Sequence, residues 1–375
     1  MIIVIILGLL LGCYLLLMAG LIIGWFRLRK VNTNLVKAST RVSIVIPSRN
    51  EALNLPGLLE DIYIQNYPLE LLEVIIVDDH STDETLEVVK NFKAMPITIL
   101  SLAVPGIEGK KNAIETAVRQ AKGEVIITTD ADCHPGPEWV RSVVSFYEQS
   151  KPGLILSPVR FGKGNTFFQL LQEMEFMSLQ FTTAGSAALG IPLMANGANL
   201  AYPRELFLRI GGYSRNKSVA SGDDVFLMNE IKKSIGAGKI QFLRQPGACV
   251  QTKMETSWKG FLSQRLRWVS KTRGMNDPAI LSISALVFLV NLVFVILSLG
   301  ACISPYYRDY LFFFYTAKLI TDFVPFLLIT HFFNRKSILW TLPFLEPINA
   351  FYTVGIGILG NLRPYTWKGR KIRKS

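Results

Sequence analysis

The first 26 residues restrict the architecture of this chain more than any other feature. Residues 2–26 contain no charged side chain and are long enough to cross a bilayer as one helix. A cleaved signal peptide would have a basic start, a shorter apolar core and a small-residue cleavage site, and this stretch has none of them. The pattern therefore predicts a retained N-terminal transmembrane anchor over residues 1–26.

Further apolar runs lie towards the C-terminus, at about 279–303, 310–332 and 338–361. The first run has no charge, whereas the other two contain charged residues and prolines: Lys318, Asp322, Pro343, Glu346 and Pro347. Charges at membrane depth are costly unless they are paired or face a protein-lined cavity. We therefore expect two to three transmembrane or re-entrant segments over 279–361, with the last two tilted, broken or re-entrant.

Basic residues are concentrated beside these runs. The stretches 27–41, 259–273 and 362–375 contain sixteen basic and no acidic residues, so the rest of the chain has a net charge of −4 although the whole chain has +12. Basic flanks favour the cytoplasmic side, which predicts a multi-pass protein of the cell (inner) membrane with residues 42–278 in the cytosol and Met1 outside. The basic residues are then expected to face lipid headgroups, and no interleaved basic and aromatic stripe indicates nucleic acid.

The preference of basic residues for the cytoplasmic side also limits how many times the C-terminal runs can cross the membrane. Three C-terminal crossings would place the basic tail, 362–375, outside the cell, against the charge pattern. Two crossings with one re-entrant or interfacial segment would keep the tail in the cytosol. We favour the second arrangement.

The region between the apolar runs alternates short β-branched runs with helix-like segments. The predicted strands are 42–47, 73–79, 97–102 and 124–130, and the predicted helices are roughly 51–65, 83–93, 110–121 and 137–149. This alternation predicts an α/β domain with a largely parallel, doubly wound sheet, whose ligands lie beyond the carboxyl ends of the strands. Polar residues do follow three of these strands, in "PSRNE", "DDHST" and "DADCH".

The stretch "VIITTDADCHPG", residues 125–136, ends in two carboxylates, a thiol and an imidazole. Alternate residues of an extended segment face the same side, so Asp130 and Asp132 can converge on one cation. Carboxylate oxygens suit Mg²⁺ or Mn²⁺, which keep positions open for phosphate oxygens. Zinc would also require Cys133 and His134, and adjacent residues rarely reach one tetrahedral centre. A solvated turn with an Asp helix cap is the remaining alternative.

Six short motifs occur in a fixed order over about residues 42–270: "VSIVIPSRNE", "VDDHSTDET", "GKKNA", "DAD", "GDD" and "QRLRW". In this order and spacing they resemble the membrane-bound family-2 glycosyltransferases, such as the cellulose, hyaluronan and poly-N-acetylglucosamine synthases and the ceramide glucosyltransferases. The resemblance implies a cytosolic GT-A domain over 42–258, an interfacial segment over 259–278, and a divalent metal, Mg²⁺ or Mn²⁺, held by Asp130 and Asp132.

The resemblance also implies a site for the nucleotide sugar. Asp79 is expected to contact the base with Asp78 in support, and Lys110 is expected to meet the diphosphate at the start of a helix. The full set implied for nucleotide-sugar binding is Pro47, Arg49, Glu51, Asp78, Asp79, Lys110 and Asp130. Helix capping and solvated surface charge are the alternatives.

The stretch "SGDDVFLMNEI", residues 221–231, places Asp223 and Asp224 at the start of a predicted helix. The helix dipole favours an ionised carboxylate there, which is the form that a general base needs. The resemblance implies that Asp224 takes the proton of the acceptor hydroxyl, with Asp223 beside it. One base is enough for single displacement with inversion, whereas a retaining route needs a second carboxylate as nucleophile. Charge matching to the dipole alone is the alternative.

The motif "QRLRW" places Gln264, Arg267 and Trp268 on one face of a helix. The resemblance puts Trp268 at the acceptor site and Gln264 and Arg267 near the diphosphate, and it puts Asn199 of "NGANLAYPRE" in the acceptor cleft. An interfacial amphipathic helix with snorkelling arginines is an alternative that is compatible with these roles. The apolar stripe over 166–182 is expected to be core, with a membrane-apposed helix as the alternative.

Together these patterns predict an inverting glycosyltransferase. It would transfer a sugar from a nucleoside diphosphate sugar, expected to be UDP-linked, to a lipid or membrane-associated glycan. The expected partners are this donor, this acceptor and membrane lipids, with no nucleic acid. Two alternatives stay open: a processive polysaccharide synthase that extends and translocates a polymer, and a non-catalytic membrane scaffold that binds nucleotide sugars.

Overall fold

The computed structural model describes residues 2–31, 39–102, 108–214, 222–271, 277–362, 365–367 and 370–372. The chain divides into two compact units. An α/β unit comprises Arg27–Gly162 and Ser186–Lys253, and a helical unit comprises Met1–Phe26, Lys163–Gly185 and Met254–Ser375. The predicted basic linker, interfacial segment and basic tail (27–41, 259–278 and 362–375) lie partly outside the described residues.

A seven-stranded mixed sheet forms the centre of the α/β unit. Its strands are β1 (Val42–Ser48), β2 (Leu72–Asp78), β3 (Ile97–Ser101), β4 (Val125–Thr128), β6 (Leu154–Leu156), β8 (Leu200–Pro203) and β9 (Ile240–Phe242). Short strands β5 (His134–Pro135), β7 (Val159–Phe161) and β10 (Val250–Thr252) form a second sheet. The order of the large sheet is β3-β2-β1-β4-β8-β6-β9, and only β8 runs antiparallel to its neighbours. The predicted largely parallel α/β sheet is confirmed.

The helices are numbered along the described chain. They are α1 (Ile2–Arg27), α2 (Leu55–Tyr63), α3 (Thr85–Asn91), α4 (Lys110–Gln120), α5 (Trp139–Ser150), α6 (Phe167–Ala188), α7 (Arg204–Arg209), α8 (Asp223–Ile235), α9 (Trp258–Lys271), α10 (Pro278–Ile303), α11 (Tyr306–Phe332) and α12 (Leu342–Leu362). A terminal hairpin pairs β11 (Tyr365–Trp367) with β12 (Arg370–Ile372).

The central strands are buried on both faces because most of their side chains are apolar, as is typical of parallel strands covered by helices. Every residue of β4 is buried, and so is every residue of β1 except Pro47. Helix α4 packs on β1 and β2 and turns Ile114 and Val118 inward. Burial of one such aliphatic side chain stabilises the fold by about 1.5–3 kcal/mol. This core fixes the positions of the strand ends.

Four stretches of the helical unit are long and apolar enough to span a membrane: Ile3–Arg27, Pro278–Ile303, Tyr306–Phe332 and Lys336–Gly360. Helix α11 is continuous through Pro325, and α12 is continuous through Pro347, so neither helix is broken at its internal proline. The number of crossings and the side of the tail stay predictions.

Helix α6 is packed inside the helical unit over most of its length. The stripe predicted over 166–182 is buried at Leu171, Met174 and Phe181, which agrees with its interpretation as core. Helices α1 and α6 also approach closely, because a Cβ on Gly24 would lie only 2.1 Å from the carbonyl oxygen of Gly185. Small residues permit this kind of helix contact in membranes.

Candidate active site

The carboxyl ends of β1, β2 and β4 meet at one edge of the sheet. Backbone hydrogen bonds tie their exits together: Asp79 N donates to Ser48 O at 2.8 Å, and Thr129 N donates to Val45 O at 3.2 Å. The polar residues predicted after these strands therefore share the edge where open α/β sheets bind their ligands.

Asp130 and Asp132 follow β4 at this edge. The side chain of Asp130 is 39% exposed, and Asp132 is half-buried and accepts a hydrogen bond from Thr252 Oγ1 at 3.5 Å. Burial raises the pKa of Asp132 to about 6, and the charges of Asp130 and Glu51 act in the same direction. A bound cation would relieve this repulsion among carboxylates.

These two carboxylates suit a divalent cation that shares its ligands with a phosphate. In the part of the chain that the structure describes, no three His, Cys, Asp or Glu side chains come together closely enough to hold a metal on their own. Mg²⁺ in particular is held by one or two carboxylates, with phosphate and water oxygens in its other positions. The donor set of Asp130 and Asp132 therefore fits such an ion.

Cys133 and His134 do not join that donor set. Cys133 is fully buried, and burial together with the charges of Asp130 and Asp132 raises the pKa of its thiol. His134 lies in β5, where its Nδ1 is 2.8 Å from Oδ2 of Asp61. Both positions agree with packing and loop roles and give zinc no support.

Lys110 connects two of the predicted motifs directly. Its Nζ lies 2.6 Å from Oδ1 of Asp130 and 3.4 Å from Oδ2 of Asp223. Burial favours the neutral amine, but the charges of Asp130 and Asp223 outweigh burial and raise the pKa of Lys110 above its ordinary value. The structure thus brings "GKKNA", "DAD" and "GDD" together around one ammonium group.

Two glycines place the helices that carry these residues. Gly109 has φ +93° and Gly222 has φ +88°, in the left-handed region that glycine enters without steric cost. Helix α4 begins directly after the first of them, at Lys110, and α8 begins directly after the second, at Asp223. Each turn therefore delivers a charged side chain at the first position of a helix.

Gly197 is a site residue that sequence reasoning missed. A Cβ at this position would lie 2.8 Å from Oδ2 of Asp223 and 2.9 Å from Nζ of Lys110. Its backbone N–H also donates to Oδ2 of Asp224 at 3.4 Å. The available signal is in "NGANLAYPRE", where a glycine permits close approach of the backbone to a site.

Asp224 occupies the first turn of α8 and is buried, with 7% of its surface exposed. Its Oδ1 accepts a hydrogen bond from Val225 N at 2.8 Å, so the carboxylate is oriented by backbone N–H groups on both oxygens. These two bonds hold the carboxylate in one orientation at the start of α8.

Asp78 and Asp79 are buried and shape the loop after β2. Both carboxylate oxygens of Asp78 lie 3.3 Å from Ser81 N, which donates to them. Asp79 accepts from Gly109 N at 3.0 Å, which ties this loop to the start of α4. The helix predicted over roughly 83–93 begins at Thr85.

The other residues predicted from the first strand lie beside this loop. Arg49 Nη1 donates to the carbonyl oxygen of Asp79 at 3.2 Å. Glu51 accepts from Asn54 Nδ2 at 2.6 Å, and its backbone N–H donates to Thr85 Oγ1 at 2.8 Å. Pro47 is half-buried inside β1. The structure therefore groups all three at the exit of β1.

Asn199 is placed differently from the prediction. Its side chain is fully buried, Oδ1 accepts from Trp139 Nε1 at 2.9 Å, and Nδ2 lies 2.9 Å from both Pro158 O and Ala248 O. These bonds fasten the start of β8 to neighbouring loops. This position does not support the predicted contact with an acceptor.

Gln264, Arg267 and Trp268 lie on α9 and belong to the helical unit. The buried residue of this motif is Arg265, which sequence reasoning did not single out. It is 2% exposed, and its Nε and Nη2 donate to Oε2 of Glu175 at 2.9 and 2.6 Å. The motif is therefore anchored to α6 through a buried ion pair.

Arg265 also stacks on the motif's tryptophan. Its guanidinium carbon lies 4.3 Å from the ring centres of both Phe261 and Trp268. Glu175 receives a further hydrogen bond from the hydroxyl of Tyr352 at 3.1 Å. The available signal was the presence of Glu173 and Glu175 among the apolar residues of α6, because a buried carboxylate requires a partner.

Comparison with known proteins assigns this site to a class. Residues 43–211 match the family described as Glycosyl transferase family 2. A protein named Probable glycosyltransferase YdaM, from Bacillus subtilis, is 25% identical over 241 residues, covering 62% of this chain and 55% of YdaM. Beta-monoglucosyldiacylglycerol synthase from Nostoc sp. is 26% identical over 234 residues, covering 60% of this chain and 48% of the synthase. The chain spans about half the length of these curated relatives.

The mannosyltransferase PcManGT from Pyrobaculum calidifontis, solved in complex with GDP-Man and Mn²⁺, superposes with a TM-score of 0.56. The superposition covers 95% of this chain and 99% of PcManGT at 19% sequence identity, which is a likeness of fold. Fold and sequence are both similar to those of GT-A glycosyltransferases, in agreement with the predicted class. The match to glycosyl transferase family 2 covers residues 43–211, which is less than half of the chain.

Proposed function

We propose that this protein is an inverting glycosyltransferase that moves a sugar from a nucleoside diphosphate sugar to a lipid or membrane-associated glycan. The observation that carries the proposal is the convergence of Lys110, Asp130 and Asp223 at the ligand-binding edge of the sheet. A diphosphate has the charge and oxygen atoms that an ammonium beside a cation-binding carboxylate pair recognises. UDP is the first nucleotide to test, and the GDP-Man bound by PcManGT makes GDP the second.

Asp130 and Asp132 would hold the divalent cation, and the Mn²⁺ in the PcManGT complex supports this assignment. When bound, the ion would neutralise charge on the departing diphosphate. Lys110 lies within contact of Asp130 and would bind the same diphosphate from the start of α4. The loop of Asp78, Asp79 and Arg49 would form the nucleotide end of the site.

Asp224 would act as the general base. It would accept the proton from the acceptor hydroxyl while that oxygen bonds to the anomeric carbon and the bond from carbon to the diphosphate oxygen breaks. Its two backbone hydrogen bonds and its place in the first turn of α8 support an oriented carboxylate. One base with no covalent intermediate gives inversion.

The acceptor is proposed to be membrane-associated. The described residues include four stretches long and apolar enough to cross a bilayer, and the name of the Nostoc relative denotes synthesis of a glycolipid. Trp268 of α9 would stack on the acceptor. The basic flanks of the apolar runs favour a cytosolic catalytic domain at the cell membrane.

A donor screen tests this proposal. Full-length protein in detergent or native membranes is incubated with UDP- and GDP-sugars, with Mg²⁺, Mn²⁺ or EDTA, and both nucleotide release and lipid products are measured. We expect metal-dependent release with one donor, loss of release in Asp130→Asn, and normal release in the surface control Glu87→Gln. A product with one added sugar would exclude processive synthesis. Donor binding without release in any membrane extract would contradict catalysis and favour the scaffold.

A further inference from the structure

A charged cluster lies within the apolar helices of the helical unit. The Tyr14 hydroxyl on α1 donates to Oδ1 of Asp322 at 2.6 Å, and Nζ of Lys318 lies 2.7 Å from Oδ2 of Asp322. Lys318 also pairs with Oε1 of Glu346 on α12. All four residues are at most 6% exposed.

The cluster lies at the middle of the candidate membrane spans. Tyr14 lies within Ile3–Arg27, Lys318 and Asp322 lie within Tyr306–Phe332, and Glu346 lies within Lys336–Gly360. Each of the four lies at least ten positions from the nearer end of its span, and for Glu346 those positions include the short helix Lys336–Thr341 that precedes α12. Ten helical residues rise about 15 Å, which is half of a hydrocarbon core of about 30 Å. If these stretches cross the bilayer, the cluster lies near its midplane.

The charges of this cluster do not balance if both carboxyls are ionised. One ammonium then faces two carboxylates, which leaves a net charge of −1 at a depth where an unpaired charge is strongly disfavoured. The other titratable groups that interact with Glu346 are the phenols of Tyr14 on α1 and Tyr315 on α11, which are neutral. Helix α10 has no acidic or basic residue to supply a counter-charge.

The two carboxyls are not equivalent. Asp322 receives two donors, Tyr14 and Lys318, one on each oxygen. Glu346 receives Lys318 on Oε1, whereas its Oε2 is buried and has no hydrogen-bond partner among the described residues. An ionised carboxylate is stabilised by donors, so Asp322 is the better site for the negative charge and Glu346 the better site for a proton.

We propose that this cluster is a proton-binding site, in which Glu346 holds one proton on Oε2 so that Lys318, Asp322 and Glu346 together are electrically neutral. The site is separate from the proposed sugar transfer and does not depend on it. Loss of the proton at alkaline pH would leave a net negative charge among the helices and weaken their packing. The helical unit is therefore expected to be more stable at neutral than at alkaline pH.

Infrared spectroscopy of the full-length protein in lipid at neutral pH tests this site. We expect the C=O stretching band of a buried, protonated carboxylic acid that exchanges slowly in D₂O. Isotopic labelling of glutamate should shift this band in the wild-type protein, which separates Glu346 from Asp132 without any substitution. Absence of the band, or a band insensitive to glutamate labelling, would overturn the proposal.

Substitutions that change the number of charged groups in the cluster test the proposal further. Glu346→Gln should remove the band, and Asp322→Asn should also remove it, because Lys318 then pairs with an ionised Glu346. Lys318→Met should roughly double the band, since both carboxyls then need a proton, and the surface control Glu87→Gln should leave it unchanged. A band that persists in Asp322→Asn would contradict charge neutrality as the cause. A band that appears only when Na⁺ and K⁺ are removed would identify a metal cation as the occupant and overturn the proton assignment.

Discussion

Nζ of Lys110 lies 2.6 Å from Oδ1 of Asp130, so the ammonium of one motif neutralises a carboxylate of another. In the proposed reaction, Asp130 also binds the divalent cation, and Lys110 binds the diphosphate of the donor. The ammonium and the metal are therefore competitors for Asp130 until a diphosphate is present to accept Lys110.

This competition predicts that Lys110→Met changes the affinities for Mn²⁺ and for the donor nucleotide in opposite directions. Affinity for Mn²⁺ alone should rise several-fold, because the competing positive charge is removed. Affinity for the donor nucleotide should fall by tenfold or more, equivalent to about 1.4 kcal/mol or more. Calorimetric titration of each ligand measures both, with the exposed Lys239→Met as the control. Weaker binding of Mn²⁺ alone would show that Lys110 does not compete with the metal.

Gly197→Ala should impair transfer more than folding. The new Cβ would lie 2.8 Å from Asp223 Oδ2 and 2.9 Å from Lys110 Nζ, and these flexible side-chain ends would move aside. Displacement of site groups by about 1 Å can cost about a hundredfold in rate, so we expect kcat/KM to fall by about ten- to a hundredfold. The control is Gly238→Ala, where a Cβ would meet nothing within 4 Å. A full rate in Gly197→Ala would mean that the Lys110–Asp223 geometry is not required.

Asn199→Ala should act on stability and not on acceptor binding. The substitution leaves Trp139 Nε1 and two backbone carbonyl groups without their buried partner. Each unsatisfied buried group costs about 1–3 kcal/mol. Thermal unfolding should therefore shift clearly, while the KM for acceptor in the folded fraction stays near the wild-type value; the exposed Asn66→Ala is the comparison. An increased KM with unchanged unfolding would restore the original prediction of an acceptor contact.

The fourth prediction concerns the contribution of the buried Arg265–Glu175 ion pair to stability. Breaking a buried ion pair by removing one partner costs about 3–5 kcal/mol, so Arg265→Met should strongly lower the thermal stability of the solubilised protein. Arg265→Lys should restore little, because an ammonium cannot donate through two fixed nitrogens while stacking on Phe261 and Trp268. A double-mutant cycle with Glu175→Gln measures the coupling energy. A coupling near zero would contradict the importance of this pair.

The sequence was sufficient for the first four strands of the large sheet and for the helices that follow them, whereas β6, β8 and β9 were not predicted. The strand predicted over 124–130 is β4, Val125–Thr128, and the helix predicted over 137–149 is α5, Trp139–Ser150. Such strands and helices can be predicted from the sequence because apolar periodicity is a local signal. The sequence did not predict that α11 continues through Pro325, because neighbouring helices decide whether a proline breaks a membrane helix.

The geometry of the candidate site depends on contacts between distant segments, which a motif does not encode. Lys110 was predicted to meet an anion, but its pairing with Asp223 is visible only in the folded chain. Asn199 was assigned to the acceptor because its motif resembles a family segment, and the motif does not say whether the side chain points inward. In the sequence, Arg265 is one of several basic residues of 259–273 and nothing local distinguishes it, since its partner Glu175 lies 90 residues away.

The most direct test of the central claim is sugar transfer by Asp224→Asn. The amide keeps the size of the side chain but cannot accept the acceptor's proton, so the rate of product formation should fall by about 10²- to 10⁴-fold. Binding of the donor nucleotide with metal should stay within about threefold of wild type, and Glu87→Gln should transfer normally. A rate of transfer in Asp224→Asn equal to that of the wild-type protein would contradict the assignment of the base and the proposed mechanism with it.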